Sequence, residues 1–320
     1  MAENVEVIKG ASLWRDAWKR LMRNRLAVFG MVVLAIMIVA VLVGPIIIKW
    51  ATGYTYDLIP TDNSLVKAMP PSLEHPMGTD DAGRDMLARV LQGGRISLMV
   101  GIISTIVSLI VGVSFGATAG YLGGRIDNAM MRFVDILYAI PFILIVIVLL
   151  NVFGGAGTPA WIEWLSARVG GEGNQGLSQI FLLFFALGLV SWLTMARVVR
   201  GQILSIKNQE YVLAAKATGV STFAIIFRHL VPNAIGPVIV YATLTVPSVM
   251  LTEAFLSYLG LGVQAPFASW GSLASDGVKN IAIFPWQLLF PGLTMALTLF
   301  SLNFLGDGLR DALDPQTRKF

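Results

Sequence analysis

Six apolar stretches, each about twenty residues long, divide this 320-residue chain, and that length matches the ~30 Å hydrocarbon core a helix must cross. They are Leu26–Ile48, Ser97–Tyr121, Phe133–Phe153, Leu177–Ala196, Asn233–Thr252 and Trp286–Gly306, and only the third carries a charge, Asp135. Composition agrees. With 56% hydrophobic and 13% charged residues and a mean hydropathy of +0.73, the chain is too apolar for a soluble globule. The expected fold class is all-α, a polytopic membrane protein with six transmembrane helices. Cysteine is absent, so thiolate metal sites and cysteine nucleophiles are excluded.

Orientation follows from where the basic residues fall. Of 23 Lys and Arg, seven (Lys49, Lys67, Arg84, Arg89, Arg95, Arg168 and Lys279) lie on one side of the six stretches and the other sixteen share the side of the N-terminus. The positive-inside rule then predicts cytoplasmic N- and C-termini. The first stretch is too long for a signal-peptide core and no small-residue cleavage site follows it, which makes it an uncleaved anchor. The resulting plan is an N-terminal cytoplasmic or interfacial helix (1–25), the anchor (26–48), an external loop (49–96), a five-span domain (97–307) with a cytoplasmic loop at 201–232, and a cytoplasmic tail (308–320). In SLWRDAWKRLMRNR, Trp14, Trp18 and Leu21 share one helical face and Arg15, Lys19, Arg20 and Arg23 surround the other. That pattern fits a helix lying in the interface, and a solvated basic tail explains the charges equally well.

Within the spans, Ser104, Ser108, Gly112, Gly116 and Gly120 recur at every fourth position and predict close approach of a crossing helix. Pro141, Pro237, Pro247 and Pro291 each predict a kink. Charge at membrane depth needs a partner. Asp135 is expected to pair with Arg132. Two readings fit Glu253: it faces a water-filled vestibule and meets a substrate's amino group, or it packs and caps. In the external segment HPMGTDDAGRDMLARVLQGGRISL, Asp80, Asp81 and Asp85 lack the ligand spacing of a calcium loop. Thr79 or Asp80 is a candidate N-cap, Arg84, Asp85 and Arg89 are spaced for salt bridges along a helix, and His75 reads as structural.

Between the fourth and fifth spans lies EYVLAAKATGVSTFAIIFRHLVPN. Asn208 is a candidate cap for a short helix ending at Ala217, Gly219 can take the left-handed conformation, Ser221 can cap the next helix, and Pro232 fits the start of the fifth span. Ala214 and Ala215 would present a flat surface, with Lys216 and Arg228 around it. Such a hairpin either docks a soluble partner or rests on lipid headgroups.

LAAKATGVSTFAIIFRHLVP is similar to the Glu-Ala-Ala loop of ABC-importer permeases, with Ala214, Ala215, Gly219 and Pro232 in register. Leu213 stands where that family has Glu, with Glu210 nearby, and His229 and Val231 replace its Ile and Leu. Gly78, Thr79, Asp80, Gly83, Arg84 and Asp85, in GTDDAGRDMLARVLQGGRISL, resemble the signature of the oligopeptide and dipeptide branch. SLWRDAWKRLMRNRLAV, GYLGGRIDNAMMRFVDIL, FLSYLGLGVQAPFASWG and FLGDGLRDALDP fit the same branch. The segment 154–176 is longer than the branch implies, and Trp161 to Val169 suggests a short lid helix.

The resemblance implies a type I permease core over 97–307 in a bacterial cytoplasmic (inner) membrane. It also implies four partners: a second homologous permease, two ABC ATPase subunits and an extracytoplasmic substrate-binding protein. Contact with membrane lipid is implied and contact with nucleic acid is not. Glu210, Ala214, Ala215, Lys216, Gly219 and Pro232 would form the ATPase-coupling loop. No G-x-x-x-x-G-K-[ST] motif occurs, so the chain is expected to be no enzyme and to hold no cofactor or metal, with ATP and Mg on the partner ATPases. The implied cargo is oligopeptides, with dipeptides, nickel chelates or oligosaccharides as alternatives. A membrane scaffold without a pathway is the rival class.

Overall fold

The computed structural model describes residues 13–60, 68–153, 157–170 and 175–313. Readings on 1–12, Lys67, 154–156, 171–174 and 314–320, and on the side chain of Trp14, lie outside the described residues. Regular structure among them is helical: α1 Leu13–Leu21, α2 Arg25–Thr52, α3 Met86–Leu122, α4 Gly124–Ala139, α5 Phe142–Val152, α6 Ala160–Gly170 and α7 Gln175–Ile206. There follow α8 Glu210–Ala217, α9 Thr222–Ala224, a π turn Ile225–Leu230, α10 Val231–Asn233, α11 Ile235–Tyr258, α12 Trp270–Lys279 and α13 Trp286–Leu313.

Five of these, α2, α3, α7, α11 and α13, are long and apolar enough to cross a membrane. The third expected span is not one helix. α4 and α5 meet at 88° across Ile140 and Pro141, so they make a sixth crossing only if the bent pair counts as one. The proline ring crowds the residue before it, and Ile140 accordingly leaves helical space (φ −83°, ψ 128°). Pro237, expected to kink the fifth span, instead lies in the first turn of α11, where a missing N–H costs nothing.

Helices overrun the apolar stretches because charge ends a stretch while only a cap ends a helix. α3 begins eleven residues before Ser97, at the N-cap Asp85, whose carboxylate accepts from the Ala88 N–H at 2.7 Å. Thr79 and Asp80 are therefore not its cap. The ridge of small residues in α3 meets α7: the Ser104 hydroxyl donates to the Phe184 carbonyl at 2.8 Å, and a methyl added at Gly112 would lie 2.6 Å from Met195 Cβ. Around this seam the apolar core gathers Val100, Leu183, Phe184 and Leu187 with Val249 and Leu256 of α11.

α2 packs its Gly30 against the Ser301 carbonyl of α13, where an added Cβ would come within 2.6 Å. α1 does not place Leu21 on an exposed face with Trp18. Its Ala17 and Leu21 are buried with Ala27 against Leu305, Leu309 and Ala312, and Trp18 points outward at 57% exposure. Two side chains four apart fit between the closely packed α2 and α13, and the bulky indole does not.

Candidate functional site

α8 turns back on the bundle through a chain reversal whose hydrogen bonds are complete. The Val220 N–H donates to the Ala215 carbonyl and the Gly219 N–H to the Lys216 carbonyl, both at 3.1 Å. This is the paired-bond helix ending that needs a left-handed residue, and Gly219 supplies φ +78°. Ser221 then accepts the Ala224 N–H at 3.4 Å. Asn208 is not the cap of α8; Gln209 holds that position without a side-chain bond. Glu210 instead places its charge in the first turn, where the helix dipole favours it.

The underside of the hairpin is apolar and anchored. Val212, Ala215, Ile225, Ile226 and Leu230 are buried with Met195, Val199 and Ile203 of α7, Ala117 of α3 and Val238 of α11. Ala214 and Ala215 thus do not form one flat surface: Ala215 is 8% exposed and packs inward, while Ala214 faces out. The Tyr211 hydroxyl is buried without a partner among the described residues, and burial holds its pKa above the usual phenol value. The outer face carries Glu210, Ala214 and Lys216 with Leu213 and Phe223, the last 72% exposed and tilted against Phe227 at 4.7 Å. Lys216 lies over the Tyr121 ring at 5.0 Å.

Downstream of α9 the helix widens into the π turn, which the sequence reading missed. Pro232 has no N–H for the Arg228 carbonyl, and its ring would clash there in regular α register. The looser turn absorbs that conflict, and Asn233 Nδ2 donates to the next carbonyl, that of His229, at 2.6 Å. Pro232 therefore ends the hairpin and α11 begins three residues later.

α4 is clamped beside this region by two ion pairs from α7. Arg200 grips the buried Asp127 with both Nε and Nη2, at 2.5 and 2.7 Å. Asp135 pairs with Arg197 at 2.7 Å, not with Arg132, and Arg197 also lies 4.0 Å over the Tyr138 ring. Lys207 Nζ donates to the Gly120 carbonyl at 2.9 Å and ties the end of α7 to the end of α3.

At the far end of the bundle, the segment around GTDDAGRD is a clasp. Asp80, not Asp85, takes both arginines: Arg84 Nε and Arg89 Nη1 each lie 2.7 Å from its Oδ2. Asp85, already capping α3, accepts from His75 Nδ1 at 2.8 Å. The Thr79 carbonyl receives the Trp286 indole N–H at 3.1 Å, and Asp81 receives Asn280 at 2.5 Å and Gln287 at 3.0 Å. Gly78 and Gly83 make its turns with φ +73° and +81°. A side chain at Gly78 would also strike Trp286.

Glu253 is 1% exposed. Its Oε1 accepts from Ser257 at 2.6 Å and from Ser269, the N-cap of α12, at 2.7 Å. In this arrangement it joins α11 to α12. α6, where a lid helix is expected, packs on α7 through the buried Ile162 and a Ser166–Ser178 hydroxyl contact at 2.7 Å. No cluster of metal-ligating side chains occurs among the described residues.

The fold is thus a bundle of membrane-length helices interrupted by an anchored hairpin. Residues 112–319 match the family described as binding-protein-dependent transport system inner membrane component, and residues 12–71 match the N-terminal TM domain of oligopeptide transport permease C. The chain belongs to this permease family and is a multi-pass membrane protein. It is 46% identical over 318 residues to the oligopeptide transport system permease protein OppC of Escherichia coli (strain K12), covering 99% of this chain and 95% of that protein. It is 45% identical to OppC of Haemophilus influenzae, over 97% of this chain and 91% of that one. Against the dipeptide transport system permease protein DppC of Bacillus subtilis the figures are 42%, 96% and 87%. Among solved structures, the inward-facing MetNI methionine ABC transporter shares the fold at a TM-score of 0.50 and 17% identity, covering 72% of this chain and 98% of that one.

Proposed function

We propose that this chain is one of two transmembrane permease subunits of an ATP-driven importer for oligopeptides, lying in a bacterial inner membrane. Six spans with α4 and α5 as one broken crossing, and both termini in the cytoplasm, fit the charge distribution. The partners are a second homologous permease, two ATPases that bind ATP and Mg, and an extracytoplasmic binding protein that delivers cargo. Glu210, Ala214, Lys216 and Gly219 belong to the surface that meets an ATPase, with Ala215 packed beneath it and Pro232 at the end of the hairpin.

The observation that carries this reading is the hairpin itself. Its underside is buried against α3, α7 and α11 together, while its outer face keeps Leu213 and Phe223 exposed beside charges. A loop resting on headgroups needs no such three-helix anchorage. Oligopeptide cargo is supported by the names of the relatives, among which dipeptide permeases are also present.

The test is reconstitution with companion subunits in proteoliposomes and ATP-dependent uptake of labelled oligopeptide, dipeptide, nickel chelate and oligosaccharide in parallel. Oligopeptide uptake that requires this chain and the ATPases is the expected result. Uptake confined to another cargo would replace the cargo assignment, and uptake independent of ATP would overturn the importer reading.

A further inference from the structure

A cavity of about 370 Å³ opens at the end of the bundle opposite the hairpin, where α5 and α11 end and α7 begins. Three carboxamides give it its polar lining: Asn151 in the last turn of α5, Gln179 near the start of α7 and Gln264 in the loop after α11. Gly260 and Gly262 add bare backbone beside them, and none of the described lining residues is charged.

The hydrogen bonds already made within the protein decide what these amides have left to offer. Asn151 Nδ2 donates to the Ile147 carbonyl at 2.8 Å, and Gln264 Nε2 donates to the Gly260 and Gly262 carbonyls at 2.9 and 3.2 Å. Those carbonyls fix which amide atom is the nitrogen, so both carboxamide oxygens remain acceptors without a donor among the described residues. Gln179 is exposed and its side chain makes no hydrogen bond among the described residues, which leaves it free to donate and to accept. A ligand here meets amide groups and no counter-charge, so burying an ionic group in the cavity is costly. The matching chemistry is another amide, with N–H groups for the two oxygens and a C=O for the Gln179 amide nitrogen. The main chain of a peptide repeats that pair at nearly every residue, whatever its side chains.

We propose that this cavity is a contact site for the main chain of the peptide cargo, with Asn151 Oδ1 and Gln264 Oε1 accepting its N–H groups and the Gln179 carboxamide donating to its C=O groups. The inference rests on the oligopeptide-importer reading and deepens it. A site that reads only the main chain admits peptides of any sequence, and because its neutral hydrogen bonds are individually weak it also lets them leave.

The experiment uses the assembled transporter and its binding protein in proteoliposomes during ATP-dependent import. The chain has no cysteine, so Gln179→Cys gives it a single thiol at the cavity. Ile283→Cys, 70% exposed in the turn between α12 and α13, is the control at the same end of the bundle. Cargo peptides with one cysteine at the first, middle or last residue are added with copper phenanthroline as oxidant, and disulfide-linked products on this chain are identified by mass spectrometry. All three peptides are expected to link to Gln179→Cys and not to Ile283→Cys, and excess cysteine-free peptide of unrelated sequence is expected to suppress the linkage. Gln179→Leu breaks no side-chain bond among the described residues and is expected to lower uptake by about three- to tenfold, alike for peptides of different sequence. No linkage at Gln179→Cys, equal linkage at Ile283→Cys, linkage confined to one cysteine position, or unchanged uptake by Gln179→Leu overturns the proposal, and wild-type import of oligopeptide in the same vesicles leaves the importer reading standing. If wild type imports only another cargo, the proposal falls with the cargo assignment.

Discussion

Gly219 separates the shape of the hairpin from its contacts. Its φ of +78° means that any L side chain there is strained, by about 1–2 kcal/mol. A Cβ built at this position meets nothing within 4 Å, so the chain itself offers no steric objection to a larger group. Gly219→Ala and Gly219→Glu therefore share the same backbone penalty and should melt at nearly the same temperature in detergent. Their transport should differ. If strain alone mattered, uptake by both would fall alike, by about thirtyfold at most, since roughly 2 kcal/mol is a factor of about thirty. If residue 219 is seated against an ATPase, Gly219→Ala keeps measurable uptake, while Gly219→Glu abolishes it and leaves the permease inserted. The assay is ATP-dependent peptide uptake by proteoliposomes holding the full assembly, with insertion checked by protease protection. Equal uptake by the two variants would refute the docking role of this surface, whatever their absolute rates.

Four further substitutions test the framework around the hairpin. Asp127→Asn leaves the Arg200 fork without its anionic partner, and the melting temperature in detergent should drop by the equivalent of about 1–3 kcal/mol. Gly116→Ala should destabilise by about 1–3 kcal/mol, because a methyl there runs into the Ala196 backbone and must push α3 from α7. Gly201→Ala, exposed in α7 with nothing within 4 Å, should instead raise stability by about 0.5–1 kcal/mol in the same measurement. Glu253→Gln should leave peptide preference unchanged in competition uptake assays, because an amide oxygen can still accept from both Ser257 and Ser269.

Five of the six apolar stretches coincide with helices long and apolar enough to cross a membrane, and these were legible because hydrocarbon imposes one requirement on every span, a length of apolar side chains, which is a local property. The same holds for Gly219 and Ser221, whose roles at a helix end and a helix start follow from their own backbone and side-chain chemistry. What failed locally was the partner of each charge. Arg132 is three residues from Asp135 and one turn away on the same helix, yet α7 crosses close enough for Arg197, sixty-two positions on, to take the carboxylate. In the clasp around GTDDAGRD, Asp81 is held by Asn280 and Gln287, at separations of 199 and 206 residues that no spacing rule reaches. The break at Pro141 was seen as a kink and is nearly a right angle, because Ile140 leaves helical space before the proline, and α5 packs on α7 through Val146.

These long-range bonds also decide what a push on the hairpin can move. Val212 and Ala215 rest on α7 at Val199 and Ile203, and the same stretch of α7 holds α4 through Arg200 and Arg197. Lys207 couples the same end of α7 to α3. The ends of α3, α4, α7 and α11 on the hairpin's side of the bundle are therefore joined to it by contacts close to it. At the opposite end, Thr79 and Asp81 fasten the start of α3 to α12 and α13. Were an ATPase to push on α8 as proposed, the force would reach helices gathered at one end and clasped to different neighbours at the other, which would favour tilting of the group over sliding of any single helix.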